Sequence, residues 1–463
     1  MNPDIIGTNG DGVKLTRLGY PVPCGGQAQS EVIRHVVSLY HARKEVLEMR
    51  LNDVEKAMLG GETGEPRRIA IEQQIRVGRF FDAEDFVEVS QVHLMADTES
   101  LGPAGVDFLE RMAAYPDDER RVRVPTITDP RGIDLSAYKR LKQREEWAVL
   151  ERRAINAFTA MGILMTDTCI NYQTILPPTF GEHVAFGDTG STIYANSVLG
   201  ARSNFEGGPA ALFAGLTGRV PRHGCHLEAG RRPTMRFVVE TEPKDLSDWG
   251  ALGGVIGRAA GSYWAIPLIE GISVVPTSDE FKHFGAALAS YGSVPLFHMA
   301  GITPEAGESK SLFDGPVPEP EVVTRDDIDA FYKSFAVHDG RVDVVVFAAP
   351  QLSLFEMQRL AGLLHGRRVH ARTALIVATS PEIKSACDRL AITATVEEAG
   401  GILLEGVCFY QMYARETGEA NGWKRLMSNS AKLVNIISGY GYEPVLASME
   451  ACVEAAVQGV MEQ

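Results

Sequence analysis

Basic residues are in deficit. The 463-residue chain carries 45 Lys and Arg against 60 Asp and Glu, a formal net charge of -15. That balance repels phosphodiester backbones, so no nucleic-acid groove is expected. Long apolar runs are also missing: no uncharged hydrophobic stretch reaches the roughly 20 residues needed to span a bilayer. The opening MNPDIIGTNGDG lacks the basic and apolar regions of a secretory leader, and no lipidation signal is visible. The expected setting is the cytoplasm, with no membrane partner. Cysteine is sparse, at Cys24, Cys169, Cys225, Cys387, Cys408 and Cys452, and no two form a CxxC pair. This argues against a disulfide scaffold and leaves metal ligation only to cysteines distant in sequence.

What is present is concentrated between Phe180 and Pro209, FGEHVAFGDTGSTIYANSVLGARSNFEGGP. Glu182 and His183 offer acid, base or ligand chemistry. Asn196, Ser197, Arg202, Ser203 and Asn204 suit anion and carboxylate recognition, and Arg202 suits a bidentate grip on a planar anion. The stretch reads as the wall of a small-molecule pocket; the plainer alternative is a glycine-rich loop holding a salt-bridged arginine. Further groups lie outside it. FVEVSQVHLM reads as a strand that puts Ser90, Gln91 and His93 near its end, where α/β sheets place their chemistry. His223, Cys225, His226 and Glu228 crowd together without a zinc spacing, and the following Arg231 and Arg232 favour an anion over a metal. Ser428, Asn429, Ser430 and Lys432 open a helix, where N–H groups, hydroxyls and an ammonium would make an anion site.

In order, residues 1–50 read as an appended N-terminal extension with a helix from Ser30 onward. Residues 51–310 alternate helix and strand patterns as a first α/β region. The Gly-, Pro- and charge-rich stretch between 305 and 325 marks a boundary. A regular βα rhythm follows over 325–463, in which Ser353 and Glu356 form a capping box.

These motifs together resemble the large, catalytic subunit or domain of the aconitase X branch of the aconitase superfamily. The resemblance rests on LNDVEKAMLGGETGE, FGEHVAF, YANSVLGARSNFEGGP, GLTGRVP with CHLE, FHMAGITPEA, SNSAK and MEACVEAA, in order over about 400 residues. It implies a multi-domain α/β architecture around a central cleft. It also implies a hydro-lyase (dehydratase) acting on a small hydroxy carboxylate, such as a hydroxyproline or phosphomevalonate. A small swivelling-domain subunit carrying an active-site serine would close the cleft. Members of the branch hold iron, commonly as an iron–sulfur cluster, on three cysteines. Cys169 in DTCINY and Cys408 in EGVCFY fall at two of those positions. The middle motif, GCPHCS-like in the family, reads AAPQLS here, so Ala349 takes the third ligand position, Gln351 the histidine and Leu352 the spare cysteine.

Dehydration of a hydroxy acid needs a base, positive groups for the developing enolate-like charge, and an acid for the departing hydroxide. His93, Glu182 and His183 are the candidate proton-transfer groups. Ser90, Asn196, Ser197, Arg202, Ser203, Asn204, Ser428, Asn429, Ser430 and Lys432 are the candidate substrate or anion binders. With the third thiol missing, three readings stay open. One is a hydro-lyase with an altered iron or iron–sulfur site on Cys169 and Cys408. Another is a cofactor-free lyase or isomerase. The third is a non-catalytic scaffold or regulatory homologue.

Overall fold

Val344–Leu352 is buried along its whole length, as the run VVVFAAPQL requires of a strand covered on both faces. It is central in a five-stranded parallel sheet with the order Ile402–Glu405, Ala374–Thr379, Val344–Leu352, Arg425–Ser428, Glu443–Leu446. The helix after the central strand, Leu354–Leu364, starts with the expected box. Ser353 Oγ accepts the Glu356 N–H, and the Glu356 carboxylate accepts the Ser353 N–H. A second parallel sheet runs His298–Met299, Pro267–Glu270, Met235–Val239, Glu321–Val323. Helices Leu246–Ala260 and Ser278–Gly292 pack closely together beside it, because glycine lets them: a Cβ on Gly253 would lie 2.3 Å from the Phe284 carbonyl oxygen. A third, smaller parallel sheet joins Thr126–Thr128, Val92–Leu94 and Ala185–Phe186. The chain is therefore a multi-domain α/β protein, as expected.

This computed structural model describes residues 5–8, 14–16, 49–307, 312–313, 315–335 and 340–461. Residues 1–49 and 50–463 form two separate units. In the first, Ile5–Thr8 pairs antiparallel with Lys14–Thr16. The helix expected from Ser30, as far as residue 48, and Cys24 lie outside the described residues. In the second unit, helix Asp53–Leu59 is capped by Asn52 and stops at Gly60. No helix among the described residues is long and apolar enough to cross a membrane.

Two local expectations need correction. FVEVSQVHLM is two short strands rather than one. Phe86–Glu88 pairs antiparallel with Arg219–Pro221, while Val92–Leu94 enters the parallel sheet. Between them Ser90 and Gln91 turn to bond Glu182, which breaks the ladder. His93 thus lies inside a strand, fully buried, instead of at a strand end. ILMTDTCINYQ, whose sequence reads as strand-like and then turning, forms no strand. Leu164 makes a single bridge to Ile127, and Asn171–Thr174 is one helical turn, which leaves Cys169 in the intervening loop.

Candidate active site

The carboxyl ends of the central five-stranded sheet face loops of the three-stranded one, and a buried polar cluster fills the junction. Asp188 caps helix Thr189–Ser197, accepting the Ser191 N–H at 2.8 Å. Its other oxygen is 3.1 Å from Lys432 Nζ, with both side chains 4% exposed. Burial alone would raise the Asp188 pKa, but the Lys432 ammonium and the Ser191 N–H outweigh it and hold the carboxyl ionised. Burial likewise opposes the charge on Lys432, and Asp188 overcomes it, so the ammonium persists with a raised pKa. The pair is a fixed dipole in a low-dielectric setting, where such charges act most strongly.

His93 is fully buried beside it. Nε2 lies 2.7 Å from the Thr168 carbonyl oxygen, which can only accept, so Nε2 carries the proton. Burial lowers the His93 pKa, so the ring is neutral. Nδ1 is left as a lone pair with no partner. Asp129 Oδ1 is 3.7 Å from Nε2 and has no hydrogen bond of its own. Burial pushes the Asp129 pKa well above the usual carboxylate range. Gln411 Nε2 faces Asp129 Oδ2 at 3.3 Å and Asp97 Oδ2 at 3.4 Å. Next to this cluster opens a cavity of about 170 Å³ lined by Glu99, Asp188, Thr189, Tyr410, Gln411 and Tyr440, among others.

Cys169 and Cys408 meet in the same junction. Proximity to Cys408 lowers the Cys169 pKa, and burial together with Cys169 raises that of Cys408. Gln351 stitches the loops that carry them. Its Oε1 accepts the Cys169 N–H at 3.2 Å, and its Nε2 faces the carbonyl oxygens of Asp167, Thr379 and Val407 at 3.1–3.3 Å. Ala349, fully buried, holds a left-handed φ of 56°. Its carbonyl accepts Ser430 Oγ–H at 2.6 Å. Ser430 Oγ also accepts the Leu433 N–H as a helix cap, and Ser428 Oγ accepts the Ser430 N–H. Asn429 is buried between them.

The remaining sequence-derived residues form a different cluster. Glu182 is braced by Ser90 Oγ, Gln91 Nε2, the Thr179 N–H and the Thr179 hydroxyl. Burial would raise its pKa, and these donors bring it below the usual value. His183 Nδ1 is 2.9 Å from His226 Nδ1, with the rings stacked. Burial and nearby arginines keep both imidazoles neutral. Arg202 bonds Glu228 rather than a free anion. Asn204 bonds the Cys225 N–H, Tyr263 and His223. Asn196 is spent on Ser203 and Pro295, and Ser197 accepts the Phe297 N–H. Ser203 links Phe186 N–H to the Asn204 carbonyl. The 180–209 stretch is therefore largely a self-braced wall. Asp129, Asp188, Tyr410 and Gln411 were not legible as site residues, and only the cap pattern around Asp188 hints at any of them.

The aconitase X first domain matches residues 48–229, the second domain residues 233–333, and the third domain residues 342–458. The chain belongs to the aconitase X family. Among its relatives, a phosphomevalonate dehydratase large subunit of Methanothermobacter thermautotrophicus is 34% identical over 84% of this chain and 94% of that protein. A cis-3-hydroxy-L-proline dehydratase of Pseudomonas aeruginosa is 32% identical over 89% of this chain and 70% of that protein. The crystal structure of Thermococcus kodakaraensis aconitase X in its holo-form superposes with a TM-score of 0.78 at 27% identity, covering 88% of this chain and all of that one. The aconitase X domain order puts Asp188, Cys169 and His93 in the first domain and Lys432, Cys408 and Gln351 in the third. The junction thus brings first- and third-domain residues together.

The residues here do not fit the three-thiolate iron site that the family resemblance implies. Two thiols are present, and the third position carries the Ala349 methyl, which cannot ligate iron. Among the described residues no group of three His, Cys, Asp or Glu side chains could hold a metal ion.

Proposed function

We propose that this aconitase X protein is a hydro-lyase that eliminates water from a small hydroxy carboxylate. The observation that carries the reading is the buried Lys432–Asp188 pair beside the 170 Å³ cavity, in a chain whose relatives are named dehydratases. In this reading a base removes the proton next to the substrate carboxylate. The C–O bond then breaks, and the base hands the abstracted proton to the departing hydroxyl, which leaves as water. Lys432 stabilises the enolate-like charge that develops on the carboxylate, a preorganised effect worth several kcal/mol where water is excluded. The neutral His93, with its free Nδ1, is the proton acceptor. Glu182 and His183, held in their own hydrogen-bonded cluster, act as wall rather than as acid or base.

A small swivelling subunit is proposed to cover the site, in keeping with the relatives named as large subunits. The test is turnover of hydroxyprolines, aliphatic hydroxy acids and phosphorylated hydroxy acids. The full chain is assayed alone and with an aconitase X small subunit, as wild type, H93N and K432M. Dehydration by the wild type and its loss in both variants supports the reading. Full turnover by the chain alone removes the need for the subunit.

A further inference from the structure

One wall of the 170 Å³ cavity is a seam between the first and third domains, and the seam holds a strained residue. Asp97 caps the helix Thr98–Ala113 by accepting the Ser100 N–H at 2.7 Å. From this helix start three successive side chains reach Gln411 and Tyr413. Asp97 Oδ2 accepts from Gln411 Nε2 at 3.4 Å, and Thr98 Oγ1 accepts the Tyr413 hydroxyl at 3.2 Å. A carboxyl oxygen of Glu99 accepts the Tyr413 N–H. Tyr413 itself has φ 56° and ψ 47°, in the left-handed region, which is costly for a residue with a β-carbon. Its ring stacks on Trp147 with centroids 4.1 Å apart. First-domain side chains thus hold Tyr413 by its amide, its hydroxyl and its ring.

The first-domain side of the seam is hinged. The helix is interrupted at Gly102, whose φ of 58° and ψ of 179° are not helical, and Pro103 starts the next segment. The turn Thr98–Leu101 is therefore not carried rigidly by the body of the helix. Asp97 and Thr98 are buried, Glu99 is half-buried and Ser100 is exposed. The tip that meets the Tyr413 N–H is thus the part nearest solvent. Glu99 and Gln411 both line the cavity. Burial raises the Glu99 pKa to about 7, and the charges of Asp97 and Glu416 act in the same direction. The Tyr413 N–H and Arg415 oppose them, and the Arg415 guanidinium bonds the Gly439 carbonyl at 2.8 Å. Tyr440 lines the same cavity, and Glu151 stands behind Thr98, accepting its hydroxyl at 2.6 Å.

We propose that Glu99 and Tyr413 form a latch between the first and third domains, closed in acid and released in base, that controls access to the cavity. As a regulator of the active site it rests on the dehydratase reading; as a latch it rests on these contacts alone. The sign follows from the closed state holding the proton. Below about pH 4.5 a released Glu99 is protonated as well, and closure is favoured in full. As pH rises through about 7, the closed carboxyl must ionise where burial, Asp97 and Glu416 oppose the charge. A released carboxylate is solvated, and the Tyr413 backbone can leave the left-handed region. The open-to-closed ratio is expected to rise by up to about tenfold between pH 6 and pH 8.

Amide hydrogen exchange of the full chain without substrate reads the latch through the Tyr413 N–H, once rates are corrected for the intrinsic effect of pH. Residues 97–101 and 411–414 are compared with the central strand Val344–Leu352 in wild type, E99Q and E99A. In the wild type, opening of the seam should rise several-fold, up to about tenfold, from pH 6 to pH 8 while the strand stays protected. E99Q keeps an acceptor for the Tyr413 N–H and removes the titration, so its seam should open equally at both pH values. E99A has no acceptor, so its Tyr413 amide should exchange fast at both. A circular dichroism spectrum matching the wild type reports that each variant is folded. A flat wild-type profile, a rise spread evenly over the strand, or wild-type protection of Tyr413 in E99A overturns the latch. An equal rise in wild type and E99Q assigns the titration to Asp97 or Glu151 and also overturns it. Because no substrate is present, failure to dehydrate any hydroxy acid removes the dehydratase reading without altering this result.

Discussion

Gln351 and Cys169 hold each other reciprocally: the Cys169 N–H donates to Gln351 Oε1 at 3.2 Å, and the Gln351 N–H donates to Cys169 Sγ at 3.3 Å. The family resemblance implies a histidine at this position, in a site built around thiolates. Here an amide occupies it and is satisfied entirely by backbone groups of the two thiol-bearing loops and of the neighbouring strand end. The junction is therefore closed by hydrogen bonds within the protein, at the point where related chains would gather metal ligands.

Removing that amide should loosen both loops. Q351L keeps the volume but leaves the Cys169 N–H and up to three carbonyl oxygens without their partner. With one to two of them stranded, the loss of stability is expected to be about 2–4 kcal/mol. Chemical denaturation of Q351L against wild type checks this, and an unchanged midpoint would show that the amide carries no structural role.

A thiol at position 349 should restore the missing donor. Ala349 keeps a left-handed φ of 56°, a conformation costing a residue with a Cβ about 1–2 kcal/mol. The backbone thus retains a costly shape with no ligand to show for it. After anaerobic iron and sulfide reconstitution, A349C is expected to hold iron and acid-labile sulfide that the wild type does not retain through desalting. Equal content in both proteins would contradict the ligand argument.

Stability should fall as pH rises through a window that Glu151 shares with Glu99, Glu206 and Asp129, whose pKa values burial also raises. Glu151 is buried, with Thr98 Oγ1 donating to Oε2 at 2.6 Å and Oε1 unpaired. Burial raises its pKa to about 8. The folded-state value is above the ordinary carboxylate value, so the native protein holds a proton that the unfolded chain releases. Its contribution is intact below about pH 4.5 and is lost progressively up to about pH 8, by a few kcal/mol in all. E151Q removes the titration, so its melting temperature should drop less than that of the wild type between pH 6 and pH 8.5. Parallel losses in the two proteins would assign the pH dependence elsewhere.

The fold was legible where local pattern and tertiary role agree. The Ser353–Glu356 box, the buried Val344–Leu352 run and the glycine-rich Leu246–Ala260 helix all follow from short-range rules. FVEVSQVHLM misleads because its period of two continues through Ser90 and Gln91, whose side chains serve Glu182, 92 and 91 residues away. The site was only half legible for the same reason. Lys432 stands out at a helix start, but its partner Asp188 is 244 residues distant. Gln411 meets Asp97 across 314 residues. Conversely, the polar density of 180–209 reads as a binding wall, yet Asn196, Ser197 and Ser203 spend their groups on backbone. Sequence shows which residues can bond; it does not show which are already satisfied.

The central claim is that water elimination depends on the Lys432 ammonium and not on a three-thiolate iron site. The most direct measurement is dehydration of the responding hydroxy carboxylate, followed by proton NMR in deuterated buffer, for wild type, K432M and the double variant C169A/C408A, each with the small subunit present and after chelation. The account predicts turnover by the wild type, at least about a hundredfold loss in K432M with the fold retained, and turnover surviving chelation and removal of both thiols. Activity in K432M equal to wild type, or activity that tracks four irons and four sulfides per chain and vanishes on chelation, would contradict it.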